Sequence, residues 1–364
     1  MTMFDHKHYV PILKARMGEL GALTELHLEA KGSLTPMLSI PALPWDFEKE
    51  EPTKSIDEYI PGFATKIHRA WGDGLVFIEL AEVDGEILQG DRHPATVVFD
   101  EAEGLGLSAV PVLGLQRSPR YLQSAREVIK KQKRGACIRV DNSDLENPGA
   151  LSNGLNELIT YLGLQRAECD LIFDLKFVMP ETRGPLMFAM NTILSLLPGI
   201  EAWRTLTLAA SSFPDSMMNI PSFTFHEAPR VEWDIWTSMV TKGGIPRLPT
   251  FGDYAISNPS PSGEGIDPRI MRMSANLRYT LDRTWLLLKG RNVRDHGYEQ
   301  FNELCRRLVD AGDLFKGPQF SWGDKYIHDA AANAGGPGNA TVWRKVGTSH
   351  HLAQVTHQIA TLLG

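Results

Sequence analysis

Residues 108–140, SAVPVLGLQRSPRYLQSAREVIKKQKRGACIRV, decide the fold class of this 364-residue chain. An apolar run opens the stretch, and Ser118 and Pro119 follow it as a typical N-cap and first helical residue. An amphipathic segment comes next, and a second β-branched run, 136–140, closes the stretch. A strand, a helix and a second strand in this order are typical of a parallel βαβ unit. We therefore predict an α/β fold with a parallel sheet.

The same unit recurs along most of the chain. Eight short apolar runs alternate with longer amphipathic segments, at 9–14, 36–43, 75–83, 108–115, 136–140, 170–178, 204–210 and 247–256. Eight units in about 250 residues are typical of a closed (β/α)8 TIM-type barrel. A doubly wound open sheet is the alternative, but no G-x-G-x-x-G fingerprint follows any run, which favours the barrel.

The pattern changes after residue 256. NPSPSGEGIDP (258–268) predicts a linker, and ANLRYTLDRTWLLLKG (275–290) predicts a β-hairpin that turns at Asp282 and Arg283. Two helices are predicted beyond it, at 298–312 and at 350–363, the second capped by Thr348 or Ser349. We therefore expect a barrel over 1–256 and a C-terminal hairpin with helices over 257–364, packing on the barrel.

Composition limits the classes of partner. Lys and Arg number 37 against 44 Asp and Glu, a net charge of −7, which argues against a general nucleic-acid surface. A nucleic-acid-processing enzyme stays a third hypothesis because of one basic cluster, although cations also suit a helix C-terminus. The cluster is Lys130, Lys131, Lys133 and Arg134. Three widely spaced cysteines and no long apolar run predict a cytoplasmic protein without a membrane segment.

Charged residues mark the C-terminal ends of the predicted strands, where barrel enzymes place their active sites. They are Lys14, Glu79, Arg139, Asp141, Asp174, Lys176 and Asp253. Alternate residues of a strand share a face, so these charges are predicted to point into the barrel or its mouth. One interpretation is a structural ion network. The other is a site in which carboxylates act as acid and base or bind a divalent cation, while Lys14 and Arg139 hold an anion.

Several ordered segments together resemble the beta protein family of phages and bacterial mobile elements. They are YVPILKARMGELGALTEL (9–26), FGDYA (251–255), ANLRYT (275–280), WLLLKG (285–290), SWGDKYI (321–327) and HHLAQVTHQI (350–359). The resemblance implies no particular activity. It implies that certain positions are kept, namely Lys14, Gly18, Glu19, Arg139, Asp174, Asp253, Tyr254, Tyr279, Lys289, Asp324, His350 and His351.

The leading hypothesis is a phage- or defence-associated barrel that binds a small phosphate- or nucleotide-like anion at its mouth, with hydrolysis as the candidate reaction. Anion binding is assigned to Lys14 and Arg139, and the resemblance adds Glu19 and Lys289 as further ligand-binding residues. The catalytic candidates are Asp174, Asp253, Glu79, His350 and His351, with Tyr254 and Tyr279 orienting the ligand. The alternative is a non-catalytic module whose C-terminal region binds a protein partner.

Overall fold

Parallel strands close into a barrel in the computed structural model, which describes residues 4–260, 267 and 273–363. In the described residues the strands are β1 (Tyr9–Lys14), β2 (Met37–Ser39), β3 (Trp45–Asp46), β4 (Glu51–Pro52), β5 (Leu75–Glu79), β6 (Ser108–Leu113), β7 (Ala136–Asp141), β8 (Cys169–Phe177), β9 (Thr205–Ser211), β10 (Phe225–Pro229), β11 (Thr250–Asp253), β12 (Ser274–Thr280) and β13 (Thr284–Asn292). The barrel order is β1-β2-β5-β6-β7-β8-β9-β11. The predicted (β/α)8 TIM-type fold is confirmed.

Pairing between β1 and β11 closes the barrel and excludes the open sheet. Tyr9 lies opposite Phe251 and Val10 opposite Gly252 in parallel register. Four predicted runs are longer than their strands, because 36–43, 75–83, 108–115 and 247–256 continue into loops or a short 3-10 turn. Apolar loop residues extend a hydrophobic pattern beyond the hydrogen-bonded strand, so hydropathy alone overestimates its length.

Helices follow the strands, and most of them surround the barrel. They are α1 (Met17–Thr24), α2 (Leu28–Gly32), α3 (Ile56–Tyr59), α4 (Phe63–Trp71), α5 (Pro94–Gly104), α6 (Pro119–Gln132), α7 (Asn142–Leu145), α8 (Pro148–Leu162), α9 (Arg183–Leu196), α10 (Val231–Lys242), α11 (Val293–His296), α12 (Gln300–Asp310), α13 (Trp322–Ala331) and α14 (Ala340–Leu363). Ser118 caps α6 as predicted, its Oγ accepting from the Tyr121 amide at 3.1 Å. The His93 ring caps α5, its Nδ1 accepting from the Ala95 amide at 3.1 Å. None of the helices described here is long and apolar enough to span a membrane.

The predicted start of the last helix at residue 350 is wrong. α14 begins at Ala340, where the Asn339 side chain accepts from the Val342 amide at 3.0 Å. His350 and His351 therefore lie in the middle of a long helix. Gly347 does not end this helix. It allows close packing, since a Cβ there would lie 2.7 Å from the Ile256 side chain.

α14 packs beside α1 and β1. This is the place of the helix that follows the eighth strand in a (β/α)8 barrel. The approach is close, because a Cβ on Gly18 would lie 2.6 Å from Cγ of Arg344. The hairpin and α11 to α13 therefore stand in sequence between the eighth barrel strand and its helix. The division at residue 256 stays a proposal, in which α14 serves both regions.

The predicted hairpin is confirmed as β12 and β13, and β10 from the barrel region adds a third antiparallel strand to it. A second hydrophobic core lies between this sheet and α12, α13 and α14, around Leu286, Leu304 and Val346. Most of the predicted linker, 261–266 and 268, lies outside the described residues.

Candidate functional site

The barrel lumen is apolar in the middle and polar at both ends, with Asp170 paired with Arg204 at the N-terminal end of the strands. Its apolar residues pack together as Val10, Ile12, Met37, Phe77, Val110, Val112, Cys137, Ile172, Ala209 and Tyr254. Two residues further along the strands, on the same face, lie polar side chains. These are Lys14, Ser39, Glu79, Arg139, Asp174 and Ser211. The C-terminal ends of the strands therefore carry a polar layer, as the sequence predicted.

Arg139 is the centre of this layer. Its Nε and Nη2 donate to Asp174 Oδ2 at 2.9 and 2.5 Å, and its Nη1 donates to Glu79 Oε2 at 2.5 Å. The Tyr254 hydroxyl accepts from Arg139 and donates to Asp174, both at 2.5 Å. Burial acts to raise the pKa of Asp174, but Arg139 and Lys176 hold that pKa below its ordinary value. These four side chains form the mouth floor, a buried and connected ion network.

Three partly exposed cations lie above the mouth floor, and we call them the rim cations. Arg117 Nη2 donates to Glu79 at 2.8 Å, and Lys176 Nζ lies 3.1 Å from Asp174. Lys14 Nζ lies 3.1 Å from Glu82. Their side chains are 21%, 34% and 34% exposed, for Arg117, Lys176 and Lys14 respectively. Solvent therefore reaches the rim cations but scarcely reaches the floor carboxylates.

Asp253 does not join the mouth floor. Phe251, two residues before it, packs on Trp233 and Trp236 outside the barrel, so Asp253 also faces outwards, and Tyr254 takes the lumen side. Asp253 accepts from the Tyr9 hydroxyl at 2.5 Å and lies 2.8 Å from His351 Nε2. Burial lowers the pKa of His351, so its neutral ring can donate to Asp253 and accept from Thr280.

His350 belongs to a second buried cluster, on the side of the hairpin. Its Nδ1 lies 2.9 Å from Asp324, and its Nε2 lies 2.8 Å from the Thr280 carbonyl oxygen. Tyr279 stacks on the ring at 3.6 Å and donates to Asp324 at 2.7 Å. Both histidines are fully buried, so they join α14 to the strands and do not line the mouth.

The remaining candidates lie apart from the mouth floor. Glu19 on α1 lies 3.8 Å from Arg344 of α14, and burial raises its pKa. Lys289 on β13 donates to the Met218 carbonyl at 2.7 Å. In the basic cluster, Lys131 forms ion pairs with Asp100 and Glu103 on the neighbouring α5. The structure thus brings together Glu79, Arg139, Asp174 and Tyr254, with Lys14 near them.

Sequence reasoning missed three charged side chains, Arg117, Arg230 and Glu232. Arg117 lies in the loop after β6, at the C-terminal end of a strand like the other candidates. It was missed because it lies beyond the predicted apolar run 108–115. Arg230 and Glu232 lie at the start of α10 with their side chains buried, and no periodicity distinguishes them from surface charges. Arg230 lies between the rings of Trp233 and Trp285, 5.2 and 5.3 Å from their centroids.

The described residues contain no cluster of side chains that could hold a divalent cation. Nowhere in residues 4–260, 267 and 273–363 do three His, Cys, Asp or Glu side chains group as metal ligands would. The carboxylates of the mouth floor face Arg139, which occupies the place a cation would take.

A comparison with known protein families identifies the family of the chain. The family model described as Beta protein matches residues 9–357. The chain belongs to the Beta protein family. The match begins at the first barrel strand and ends within α14, so this family is defined by the barrel and the C-terminal region together. No curated protein matches the chain significantly.

Proposed function

We propose that this member of the Beta protein family binds a small phosphate- or nucleotide-like anion at the barrel mouth. The observation that carries the proposal is the layer of rim cations, Lys14, Arg117 and Lys176, above a floor in which one cation, Arg139, faces two buried carboxylates, Glu79 and Asp174. Two rim carboxylates, Glu82 and Asp141, lie near Lys14 and Lys176. Asp144, which interacts electrostatically with Arg117 and Lys176, is a third rim carboxylate, so three rim cations face three rim carboxylates and a bound anion competes with those carboxylates. An anion there gains charge-assisted hydrogen bonds without facing the buried carboxylates directly.

Hydrolysis is the finer part of this proposal. Asp174 or Glu79 would act as the base, yet Arg139, Tyr254 and the Lys176 ammonium all contact Asp174 Oδ2, and Asp174 Oδ1 accepts from the Lys176 amide at 2.9 Å. Lys176 is the group that ligand entry would move. It has a left-handed backbone with φ of 55°, beside the β8–β9 irregularity, and its side chain is partly exposed. A phosphate drawing the Lys176 side chain away would remove one cation from Asp174 Oδ2, which Arg139 and Tyr254 still contact, and would make this carboxylate more basic toward a water molecule.

Titration calorimetry with inorganic phosphate and with AMP tests the proposal. Lys176→Gln and Arg117→Gln each remove one rim charge. A hydrogen bond to a charged group contributes about 1.5–3 kcal/mol, so each change should weaken binding about tenfold or more. Lys325→Gln is the matched control, since Lys325 is 64% exposed and pairs with Asp329 on α13. Asp174→Asn should abolish any phosphate release. Unchanged affinity in both rim variants would contradict the proposal.

The second candidate is a non-catalytic interaction protein in which the mouth floor is structural. The saturation of Arg139 by two carboxylates favours it. Breaking such a network costs about 3–5 kcal/mol, or about 4–7 °C in melting temperature for a chain of this length. If Arg139→Met and Asp174→Asn both lose that much and no anion binds, this candidate replaces the first. In this second candidate function, the C-terminal region binds a protein partner.

The cellular setting is also part of the proposal. A cytoplasmic location is supported by Cys137, Cys169 and Cys305, which are free, buried thiols. The phage or host-defence role rests on the mobile elements near which genes of this family occur.

A further inference from the structure

A small cavity lies between β12 and the first half of α14, apart from the mouth floor. Its volume is about 140 Å³. Ile256, two residues beyond Tyr254, forms one end of it. The other lining residues are Met273, Ser274, Asn276, Arg278, Val293, Tyr298, Phe301, Ala340, Trp343 and Arg344. No residue assigned to the barrel mouth lines this cavity.

One wall of the cavity is polar because of strand alternation. Ser274, Asn276 and Arg278 occupy every second position of β12 and share the face toward the cavity. Ala275 and Leu277 point the other way, into the core under the hairpin. The wall is therefore built by the strand itself and does not depend on loop conformation.

Two guanidinium groups meet at this wall. Nη1 of Arg278 and Nη1 of Arg344 both donate to the Ile256 carbonyl, at 2.9 and 3.4 Å, so the two cations are neighbours. The Arg344 side chain is 32% exposed, so a ligand can reach it. Among the described residues the one carboxylate near Arg344 is Glu19, at 3.8 Å from Nε.

The positive charge here is poorly balanced. Burial, together with the neighbouring Arg344, lowers the pKa of Arg278 to about 9. Burial also raises the pKa of Glu19, which favours its neutral form. Two like charges held together in a partly buried place are costly unless an anion joins them. The wall is thus suited to a carboxylate, which two guanidinium groups can bind from two sides.

Two further features define the rest of a ligand. In the part of the chain that the structure describes, the buried Oδ1 of Asn276 has no hydrogen-bond partner. A buried acceptor without a donor costs about 1–3 kcal/mol, so a ligand with an N–H or O–H group is favoured. Aromatic rings also line the cavity, with the ring centroids of Phe301 and Trp343 stacked 4.1 Å apart. Such rings pack well against a flat apolar body.

We propose that this cavity binds a small carboxylate with a flat apolar body and one hydrogen-bond donor. Arg278 and Arg344 bind the carboxylate, Asn276 Oδ1 accepts from the donor, and Trp343 and Phe301 contact the body. A cavity of about 150 Å³ holds one benzene molecule, so this cavity has room for the ring, while the carboxylate lies at the partly exposed Arg344 side chain. The site is independent of the proposed anion at the barrel mouth.

Titration calorimetry with 4-hydroxybenzoate, benzoate and phenol tests this site. The first probe carries carboxylate, ring and donor, and the others lack one group each. We expect 4-hydroxybenzoate to bind about tenfold more tightly than either of the others. Arg344→Gln should weaken it about tenfold or more, and Asn276→Leu should remove its advantage over benzoate. Arg120→Gln, at an exposed position of α6 paired with Asp91, is the matched control and should leave affinity unchanged.

Three results would overturn the assignment. They are absence of binding by all three probes up to about 10 mM, equal affinity of wild type and Arg344→Gln, or loss of binding in Lys176→Gln but not in Arg344→Gln. The last result would place the carboxylate at the barrel mouth. Melting curves show whether each variant is folded, and Asn276→Leu provides a second, uncharged test if Arg344→Gln does not fold.

Discussion

Replacing Glu232 by Gln should make the protein more stable at neutral and alkaline pH. Glu232 is 2% exposed at the start of α10. Its Oε2 accepts from the Ser212 amide at 2.9 Å and from the Ser212 hydroxyl at 2.5 Å. Its Oε1 has no hydrogen-bond partner within the described ranges, and Arg230 Nε lies 3.6 Å away. A glutamine amide can keep the contacts with Ser212 while removing the buried charge.

The magnitude follows from the protonation of Glu232. Burial raises its pKa from 4.5 to about 7, although Arg230 and Ser212 act to lower it. Between these two values the folded state keeps a proton that the unfolded state loses, so stability falls as pH rises. Above pH 7 the deficit is constant, at about 3 kcal/mol. With an unfolding entropy of about 0.8 kcal/mol/K for this length, Glu232→Gln should melt about 4 °C higher.

Calorimetric melting of wild type and Glu232→Gln at pH values from about 4.5 to 8 measures this difference. We expect no gap at the acid end and the full gap at the alkaline end. Glu227→Gln, at an exposed residue of β10 that accepts from Thr284 at 2.8 Å, is the matched control and should give no pH-dependent gap. A variant that melts below wild type at pH 8, or a gap that does not change with pH, would refute the reasoning.

Two further predictions concern packing and acid. A Cβ on Gly323 would lie 2.2 Å from the Val346 carbonyl oxygen, so Gly323→Ala should cost about 1–3 kcal/mol in unfolding free energy. Gly336→Ala, with nothing within 4 Å, should cost little, and equal melting of the two variants would contradict this account of α13–α14 packing. Although burial raises the pKa of Asp174, Asp253 and Asp324, Arg139, His351 and His350 hold these pKa values below the ordinary one. Their stabilisation is complete above about pH 4 and is lost as pH falls through the folded values. Asp324→Asn should therefore flatten the decline of melting temperature below about pH 4, and parallel curves would show that its ionisation is not linked to folding.

The barrel itself was predictable from the sequence because its signal is local. Each unit, such as β6, Ser118 and α6, carries its own hydrophobic pattern and cap, so eight units could be counted without knowing their contacts. Parity along β7 and β8 also predicted that Arg139 and Asp174 face the same way. Neighbouring parallel strands then bring the two side chains into contact.

Asp253 shows where that reasoning ends. Its charge at the end of a strand predicted a place at the barrel mouth. Because Phe251, two residues earlier, faces outwards, Asp253 also faces outwards and contacts Tyr9 and His351. The choice depends on which neighbour enters the lumen, and Tyr254 takes that place. The sequence contains both residues but does not state which of them faces the helices.

The sequence by itself determined the α/β class, the number of barrel strands, the hairpin and the charged strand ends, because periodicity and capping act over a few residues. Tertiary structure alone decided that α14 completes the barrel and that His350 and His351 are buried. It also decided that Arg230, Glu232 and the Arg278–Arg344 pair are mostly shielded from solvent. Those outcomes depend on contacts between residues far apart in the chain. Burial then sets the pKa values and the unpaired groups on which any function of this protein depends.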